Sequence, residues 1–365
     1  MKILHFITSL RTGGAERLVT DLMPRLKAEG HQVSVLLMDG TMTPLYEELS
    51  AAGVPVSALS CGWKAMRNPL LIFRLIAFLR RGRYDIVHTH NTSCQLLTAV
   101  ASVFVPVKLV TTEHNTSNKR RNWKWYKPLD NWMYSRYKHV ICVGEETKNA
   151  LLSHFHGLST KVSVVLNGID TFKFTSASPA PDLISVKGRR IIMVAAFREQ
   201  KDHPTLIKAM KLLPDDYKLL LAGGSETDAD RLYLEQCRTL VSDLELDRRV
   251  LFLGVRNDVP QVLAAADVVI LSTHYEGGTS LSGLEAMAMG KPFIASDVDG
   301  VRSMVEDAGA LFTCGDSAKL ASLIRRSCED PDFARTIGAA CRERAAQYDI
   351  SRTIQGYLEI YSQLN

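Results

Sequence analysis

The sequence contains no apolar run of about 18 residues, the length that a membrane-spanning helix needs. Its nearest candidate, residues 69–79, is shorter and includes Arg74. The first ten residues contain a single Lys and lead directly into Gly13, Gly14 and Glu16, a pattern typical of a buried strand rather than a secretory signal. The sequence therefore predicts neither a spanning helix nor a signal peptide.

Cysteine patterns that bind metals are also missing. The seven cysteines are scattered, and no two of them form a C-x-x-C pair. Their odd number predicts reduced thiols that pack as small apolar side chains in a cytoplasmic protein. We expect no cysteine-based metal cluster.

The charge is unevenly distributed along the chain. Residues 1–170 carry 21 Lys and Arg against 12 Asp and Glu, a net charge of +9, whereas the remainder carries 23 against 27, a net of −4, and the two give the overall +5. The basic half predicts an anionic partner, such as a membrane surface, a phosphate group or nucleic acid.

Short apolar runs alternate with helical patterns throughout, which predicts parallel β-α-β units and an α/β fold. The expected strands are 2–8, 33–38, 85–89, 108–112, 139–143, 163–166, 190–195, 218–222, 249–253, 267–271, 292–295 and 310–312. The length fits two domains, and the small, polar, Pro-containing stretch 175–182 predicts a linker. We expect four segments: an N-terminal domain at 1–172, a linker at 173–189, a C-terminal domain at 190–348 and a final helix at 349–365.

Two loops that follow strands carry groups suited to phosphate. Gly13 and Gly14 open a helix whose N-terminus favours an anion, although a plain tight turn is the alternative. They do not form G-x-G-x-x-G, so nicotinamide binding is disfavoured. Arg198 and Lys201 follow the first strand of the second half and together suit a diphosphate; otherwise they form a solvated turn.

The stretch 275–293 follows another strand and carries two carboxylates. Glu276 precedes a turn, and Glu285 lies about one turn into the helix that begins near Leu281. The turn offers an anion-binding nest of backbone N–H groups, those of Gly277, Gly278, Thr279 and Ser280. This pattern suits a phosphorylated sugar whose hydroxyls contact the glutamates. The alternative is a loop followed by an ordinary core helix.

Basic and aromatic residues are interleaved in residues 117–138, which contain seven Lys and Arg, one Asp and three of the four Trp. This mixture is typical of membrane-surface binding, and a helix with a solvated basic face is the alternative. Nucleic-acid binding is disfavoured because no recognised motif is present. The expected membrane contacts are Lys119, Arg120, Arg121, Trp123, Lys124 and Trp125.

Taken together, these loops resemble those of glycosyltransferase family 4, retaining enzymes of the GT-B fold. The resemblance spans nearly the whole chain. Its motifs, in family order, are GGAERLV at 13–19, DIVHTHN at 85–91, TTEHNTSNKRR at 111–121, LNGID at 166–170, FREQKDHPTLI at 197–207, FLGVRNDV at 252–259 and EGGTSLSGLEAMAMGKPFIASDVDG at 276–300.

The resemblance implies an α/β protein of two Rossmann-like, doubly wound parallel-sheet domains that face each other across a cleft, with the last helix crossing back. It implies that Glu285 holds the donor ribose and that Glu276 lies beside the donor sugar. Arg198 and Lys201 would bind the diphosphate, and Gly14, beside Gly13, would approach it from the first domain. His114 would lie near the reacting sugar; a lone histidine is otherwise more often structural. Specificity for the base and the sugar would depend on the shape of the pocket near Gly223, Val255 and Arg256.

Two departures from the family pattern are present. Eight residues separate Glu276 from Glu285, where the family usually has seven. The Arg that many members place five residues before the lysine is replaced by Ala196, so Arg198 is expected to supply that charge.

The expected function is retaining transfer of a hexosyl group from a nucleotide-diphosphate sugar to a glycan or lipid-linked acceptor in polysaccharide synthesis. We expect no metal, no cofactor beyond that co-substrate, no nucleic-acid partner, and a peripheral location on the inner face of the cytoplasmic membrane. The alternatives are a nucleotide-sugar binding protein that has lost catalysis, and an epimerase of the same fold.

Overall fold

The computed structural model describes residues 1–11, 13–62, 66, 68–116, 126–276 and 279–364. The chain divides into two compact units. Unit 1 comprises Met1–Gly168 and Ile350–Asn365, and unit 2 comprises Ile169–Asp349. Each unit is a parallel sheet with helices, as the alternating sequence pattern predicts.

Unit 1 contains a seven-stranded parallel sheet in the order β3-β2-β1-β4-β5-β6-β7. Its strands are β1 Lys2–Ile7, β2 Gln32–Asp39, β3 Val56–Ser60, β4 Ile86–His90, β5 Lys108–Glu113, β6 His139–Cys142 and β7 Val162–Val164. Its helices are α1 Gly14–Ala28, α2 Pro44–Ala51, α3 Leu71–Gly82, α4 Thr92–Ala101, α5 Lys127–Arg136 and α6 Glu145–His154, followed at the chain end by α16 Ile350–Leu364.

Unit 2 contains a six-stranded parallel sheet in the order β10-β9-β8-β11-β12-β13. Its strands are β8 Arg189–Val194, β9 Tyr217–Ala222, β10 Val250–Gly254, β11 Val268–Leu271, β12 Phe293–Ser296 and β13 Ala310–Phe312. Its helices are α7 Thr171–Thr175, α8 Pro181–Ile184, α9 His203–Lys211, α10 Asp228–Asp243, α11 Val259–Ala264, α12 Leu281–Ala288, α13 Asp299–Val305, α14 Ser317–Glu329 and α15 Pro331–Ala346.

In each sheet the strand order reverses at one point: between β1 and β4 in unit 1, and between β8 and β11 in unit 2. Successive crossovers leave in opposite directions there, so the loops after the two strands diverge and open a crevice at their carboxyl ends. The fold itself therefore marks two positions where a ligand would bind.

The linker predicted at 173–189 is corrected by the structure. Residues 169–189 belong to unit 2 and contain α7 and α8, from which Phe174 and Leu183 are buried in the unit 2 core. The chain passes between the units at Gly168 and again at Asp349. Residues 173–189 are not a linker, because their apolar side chains pack with unit 2 despite the surrounding Pro and Ser.

The final helix was expected to return to the first domain, and it does belong to unit 1. It buries Tyr357 and Tyr361 among residues of that unit, and Thr353 donates a hydrogen bond to the Leu166 carbonyl. Over the described ranges, no helix is both long enough and apolar enough to cross a bilayer.

Candidate active site

The loops after β8 and β11 lie at the reversal point of the unit 2 sheet and are bound to each other. Gln200 is the centre of this contact. Its backbone carbonyl accepts hydrogen bonds from His274 N at 2.8 Å and Thr273 Oγ1 at 3.1 Å, and its side chain donates to the Tyr275 carbonyl at 2.7 Å. The two loops that carry the predicted diphosphate and sugar residues therefore form one surface.

Within this surface the Lys201 ammonium contacts the Glu276 carboxylate. Their side chains are only 16% and 9% exposed, so the pair is largely removed from water. Lys201 ends a short 3-10 turn, and Asp202, which follows it, caps α9 through Thr205 N. The cap and the Gln200 hydrogen bonds place a cation and an anion together at the crevice.

Arg198 lies in extended backbone just before this turn and is 46% exposed. Its Nε lies 3.8 Å from Oδ2 of Asp230, which belongs to a capping box at the start of α10. Burial raises the pKa of Asp230, but hydrogen bonds from Thr227 outweigh it and hold the pKa below its usual value. Arg198 is thus weakly held and accessible, beside a carboxylate that stays ionised.

Helix α12 begins at Leu281, as predicted, with Ser280 as its N-cap; the Ser280 hydroxyl accepts from Gly283 N at 3.4 Å. Glu285 is half-buried one turn into this helix, between the buried Leu284 and Ala286. Thr279 is half-buried at the end of the turn. Gly277 and Gly278 lie outside the described residues, so the geometry of the nest stays a prediction.

Of the two residues after β10 that were predicted to set donor specificity, only one is free to contact a ligand. Val255 is 56% exposed. Arg256, in contrast, is bound by two carboxylates, with Nη1 at 2.7 Å from Asp182 and Nε at 2.8 Å from Asp258. Its guanidinium therefore joins α8 to the start of α11, a structural role that the sequence did not indicate.

Asp202, His274 and Cys314 form a cluster beside the ion pair. His274 Nδ1 lies 3.1 Å from Cys314 Sγ, and His274 Nε2 lies 3.8 Å from Asp202 Oδ1. Zn²⁺ prefers ligands of these types, and the three side chains are close enough to hold one ion. Burial, with a contribution from Asp202, raises the pKa of the Cys314 thiol, which opposes the deprotonation that metal binding requires.

In unit 1, the predicted residues lie at or next to the reversal point of the sheet. Gly13 caps α1 after β1, Gly14 is its first residue, and His114 follows β5, which neighbours β4. The imidazole of His114 is half-buried, and burial lowers its pKa to about 4, so it is neutral at pH 7. The membrane-surface residues predicted between Lys119 and Trp125 lie outside the described residues.

Two residues that sequence reasoning overlooked build the site. Gln200 lies in the motif at 197–207 between charged residues, and nothing in the sequence distinguishes it from them. Thr273, two residues after β11, also ties the loops together through its hydroxyl. Their common signal is a polar residue within a few positions of a strand end, which is too widespread to single them out.

Two protein-family models together match nearly the whole chain. Residues 12–173 match the family model described as Glycosyltransferase Family 4, and residues 176–344 match the model described as Glycosyl transferases group 1.

Similar proteins match along almost their full length. The Escherichia coli UDP-Gal:alpha-D-GlcNAc-diphosphoundecaprenol alpha-1,3-galactosyltransferase is 26% identical over 381 residues, covering 99% of this chain and 96% of that protein. The Mycolicibacterium smegmatis phosphatidyl-myo-inositol mannosyltransferase is 24% identical over 359 residues, covering 96% and 90%. The crystal structure of Anabaena HepE in complex with UDP-glucose has a TM-score of 0.86 at 23% identity and covers 100% of both chains, which shows a shared fold.

Proposed function

Because the chain belongs to glycosyltransferase family 4 and has its GT-B fold of two parallel-sheet α/β domains, we propose that it is a retaining hexosyltransferase. The donor is a nucleotide-diphosphate sugar, and the acceptor is a hydroxyl of a lipid-linked saccharide. The observation that carries this proposal is the Lys201–Glu276 ion pair, which lies with Arg198 at the reversal point of the unit 2 sheet.

The charge at this point suits a diphosphate leaving group. When the bond between the sugar carbon and the diphosphate oxygen breaks, negative charge grows on the diphosphate and positive charge on the sugar ring. Lys201 and Arg198 stabilise the negative charge on the diphosphate. Glu276 contacts the Lys201 ammonium group that binds the diphosphate. The acceptor oxygen then bonds to the same face of the sugar and passes its proton to the departing diphosphate oxygen, which gives retention.

The remaining residues bind and orient the donor. Glu285, on α12, accepts hydrogen bonds from the ribose hydroxyls, and the N-terminus of α12 faces the phosphates. In unit 1, Gly13 and Gly14 at the start of α1 stay candidate phosphate contacts on the basis of the sequence. These cationic and backbone groups neutralise the diphosphate without a metal, so turnover is expected to persist when divalent cations are chelated.

A membrane surface is the proposed site of action. Helix α3 buries Leu71, Leu75 and Leu79 but leaves Phe73 66% exposed, and Arg80 and Arg81 in its last turn are exposed as well. The exposed residues of this helix suit the anionic inner leaflet, and so, by composition alone, does the basic, Trp-rich stretch 117–125. The activities in the names of two relatives, a diphosphoundecaprenol galactosyltransferase and a phosphatidyl-myo-inositol mannosyltransferase, support an acceptor carried by a lipid.

The test is a thermal-shift panel of UDP-, GDP- and ADP-sugars with EDTA and with Mg²⁺, followed by transfer to undecaprenyl-diphosphate sugars. An upward shift in EDTA with one nucleotide class, and a product that keeps the donor's anomeric configuration by NMR, are expected. Donor binding without turnover would favour a binding protein, and a changed sugar without an acceptor would favour an epimerase. No shift with any donor would refute the proposed site.

A further inference from the structure

Unit 1 contains a set of histidines that the proposed chemistry leaves unused. His5 on β1 and both His88 and His90 on β4 are fully buried. In the parallel register, His5 pairs with His88 and His90 pairs with Thr112, so all four project from one face of the sheet. Helix α16 covers these side chains with Tyr357 and Tyr361.

These side chains form one continuous line of hydrogen bonds, the imidazole chain. It runs through His114, His90, His5, Tyr361, His88, Thr112 and Tyr357 in that order. The link from His114 Nε2 to His90 Nδ1 measures 3.0 Å, and that from His90 Nε2 to His5 Nδ1 measures 2.9 Å. Both nitrogens of each buried histidine are engaged, so hydrogen bonding accounts for this cluster without a metal.

Burial keeps every imidazole in the chain neutral at pH 7. It lowers the pKa of His5 to about 3 and of His114 to about 4, and it lowers the pKa of His88 and His90 well below the usual value. A neutral imidazole has one N–H donor and one accepting nitrogen. The proton positions are therefore coupled, and all links must donate in the same direction along the chain.

The far end of the chain selects that direction. Tyr357 is buried, and within the described part of the protein its hydroxyl has one hydrogen-bond partner, Thr112 Oγ1 at 3.2 Å. If Thr112 donated to Tyr357, the buried Tyr357 hydroxyl would have no acceptor for its own proton, which is unfavourable. Tyr357 therefore donates to Thr112, Thr112 donates to His88 Nε2, and each later link follows.

Carried to its other end, this order makes His90 donate from Nδ1 to His114 Nε2. We propose that the imidazole chain fixes His114 as its Nδ1–H tautomer, with Tyr357 and Tyr361 of α16 as positioning residues. His114 then presents a neutral N–H donor, not a base, to a substrate oxygen. This use of His114 depends on the proposed transferase function, but the tautomer itself does not.

The tautomer can be read directly by long-range ¹H–¹⁵N NMR of the full chain labelled with ¹⁵N-histidine. We expect a protonated Nδ1 and an unprotonated Nε2 at His114 in the wild type. Tyr357→Phe removes the terminal donor, and Tyr361→Phe breaks the link between His88 and His5, so both variants should show mixed tautomers. Tyr137→Phe is the matched control, because this buried hydroxyl bonds Thr89 and Gln95 outside the chain.

A wild-type His114 protonated at Nε2 would overturn the proposal, as would an unchanged tautomer in both chain variants or one equivalent of metal in the purified protein. Circular dichroism confirms that each variant is folded. In transfer assays Tyr357→Phe should lower kcat about fivefold with unchanged donor affinity, because the diphosphate and ribose residues lie in unit 2. If no donor is turned over, the NMR result still decides the tautomer.

Discussion

The ammonium of Lys201 contacts the carboxylate of Glu276, although 75 residues separate them along the chain. The contact exists because Gln200, the neighbour of Lys201, binds the backbone of His274 and Tyr275 just before Glu276. A charged pair that is largely shielded from water is stable only while both partners are present. A bound diphosphate would give Lys201 a second anionic partner.

The first prediction concerns the stability of this pair. Lys201→Met and Glu276→Gln should each lower the free energy of unfolding by about 2 kcal/mol, because each leaves a charged group poorly paired. The double variant should be more stable than the sum of the two losses indicates. Urea unfolding of the four proteins measures this coupling.

A matched control is the Arg238–Glu235 pair, whose side chains are 51% and 62% exposed. Its coupling should be below about 1 kcal/mol because solvent screens the charges. Equal coupling free energies for the buried and exposed pairs would contradict the stronger interaction expected between Lys201 and Glu276.

The second prediction tests the ribose contact. Glu285→Ala should raise the donor Kd about tenfold, the effect expected from losing hydrogen bonds to an ionised carboxylate. Titration calorimetry with the preferred nucleotide sugar measures this change. Glu343→Ala, an exposed glutamate on α15, should leave the Kd unchanged. An unaltered affinity in Glu285→Ala would exclude the ribose role.

The third prediction concerns Gly223, which follows β9. A Cβ at this position would lie 1.8 Å from the carbonyl oxygen of Ala195, a backbone atom that cannot move aside. Gly223→Ala should therefore destabilise unit 2 by about 1–3 kcal/mol. At Gly157 a Cβ would meet no atom within 4 Å, so Gly157→Ala should not be destabilising. Comparable melting temperatures for both variants would refute the close approach.

Sequence reasoning predicted the buried strands well because parallel strands covered on both faces are read as continuous apolar runs. It missed β3, an edge strand in which four of five residues retain solvent exposure. It took the Pro- and Ser-containing stretch 173–189 for a linker, because the burial of Phe174 and Leu183 depends on partners elsewhere in unit 2.

The position of each candidate residue near a strand end could be predicted from the sequence, but its contacts could not. Lys201 contacts Glu276, and Arg256 is bound by Asp182 and Asp258. Lys201 and Glu276, like Arg256 and Asp182, are distant in the sequence, so only the folded structure shows that they pair. The histidines show the same limit. The hydrogen bond between His88 and Tyr361 joins residues that are 273 positions apart in the sequence.

The fourth prediction addresses the stretch 117–125. Replacing Lys119, Arg120 and Arg121 by Ser should weaken binding to vesicles that contain anionic lipid, because each basic residue near the surface contributes about 1 kcal/mol. Vesicle co-sedimentation at low and physiological salt measures this. Replacing Arg325, Arg326 and Arg335 of unit 2 by Ser is a charge-matched control. Undiminished binding in the first variant would contradict membrane binding through 117–125, whatever the control variant shows.

The last prediction concerns the response of unit 1 to acid. His5, His88, His90 and His114 have folded pKa values below the ordinary 6.5, so between pH 6.5 and those values the unfolded chain binds more protons than the folded one. The free energy of unfolding therefore falls as the pH falls, by up to about 1.4 kcal/mol per pH unit for each histidine. Depressed aspartates such as Asp39 act only below pH 4, because their unfolded pKa is 3.8.

All four Trp lie within residues 1–168, so their fluorescence during urea unfolding reports on unit 1. We expect the urea midpoint to decrease steeply from pH 6.5 to pH 5. His5→Gln should reduce that slope by the equivalent of one proton, whereas His154→Gln, at an exposed position on α6, should not alter it. A midpoint that is constant over this range would mean that the buried imidazoles are not neutral in the folded protein, and the coupled protons of the imidazole chain would lose their basis.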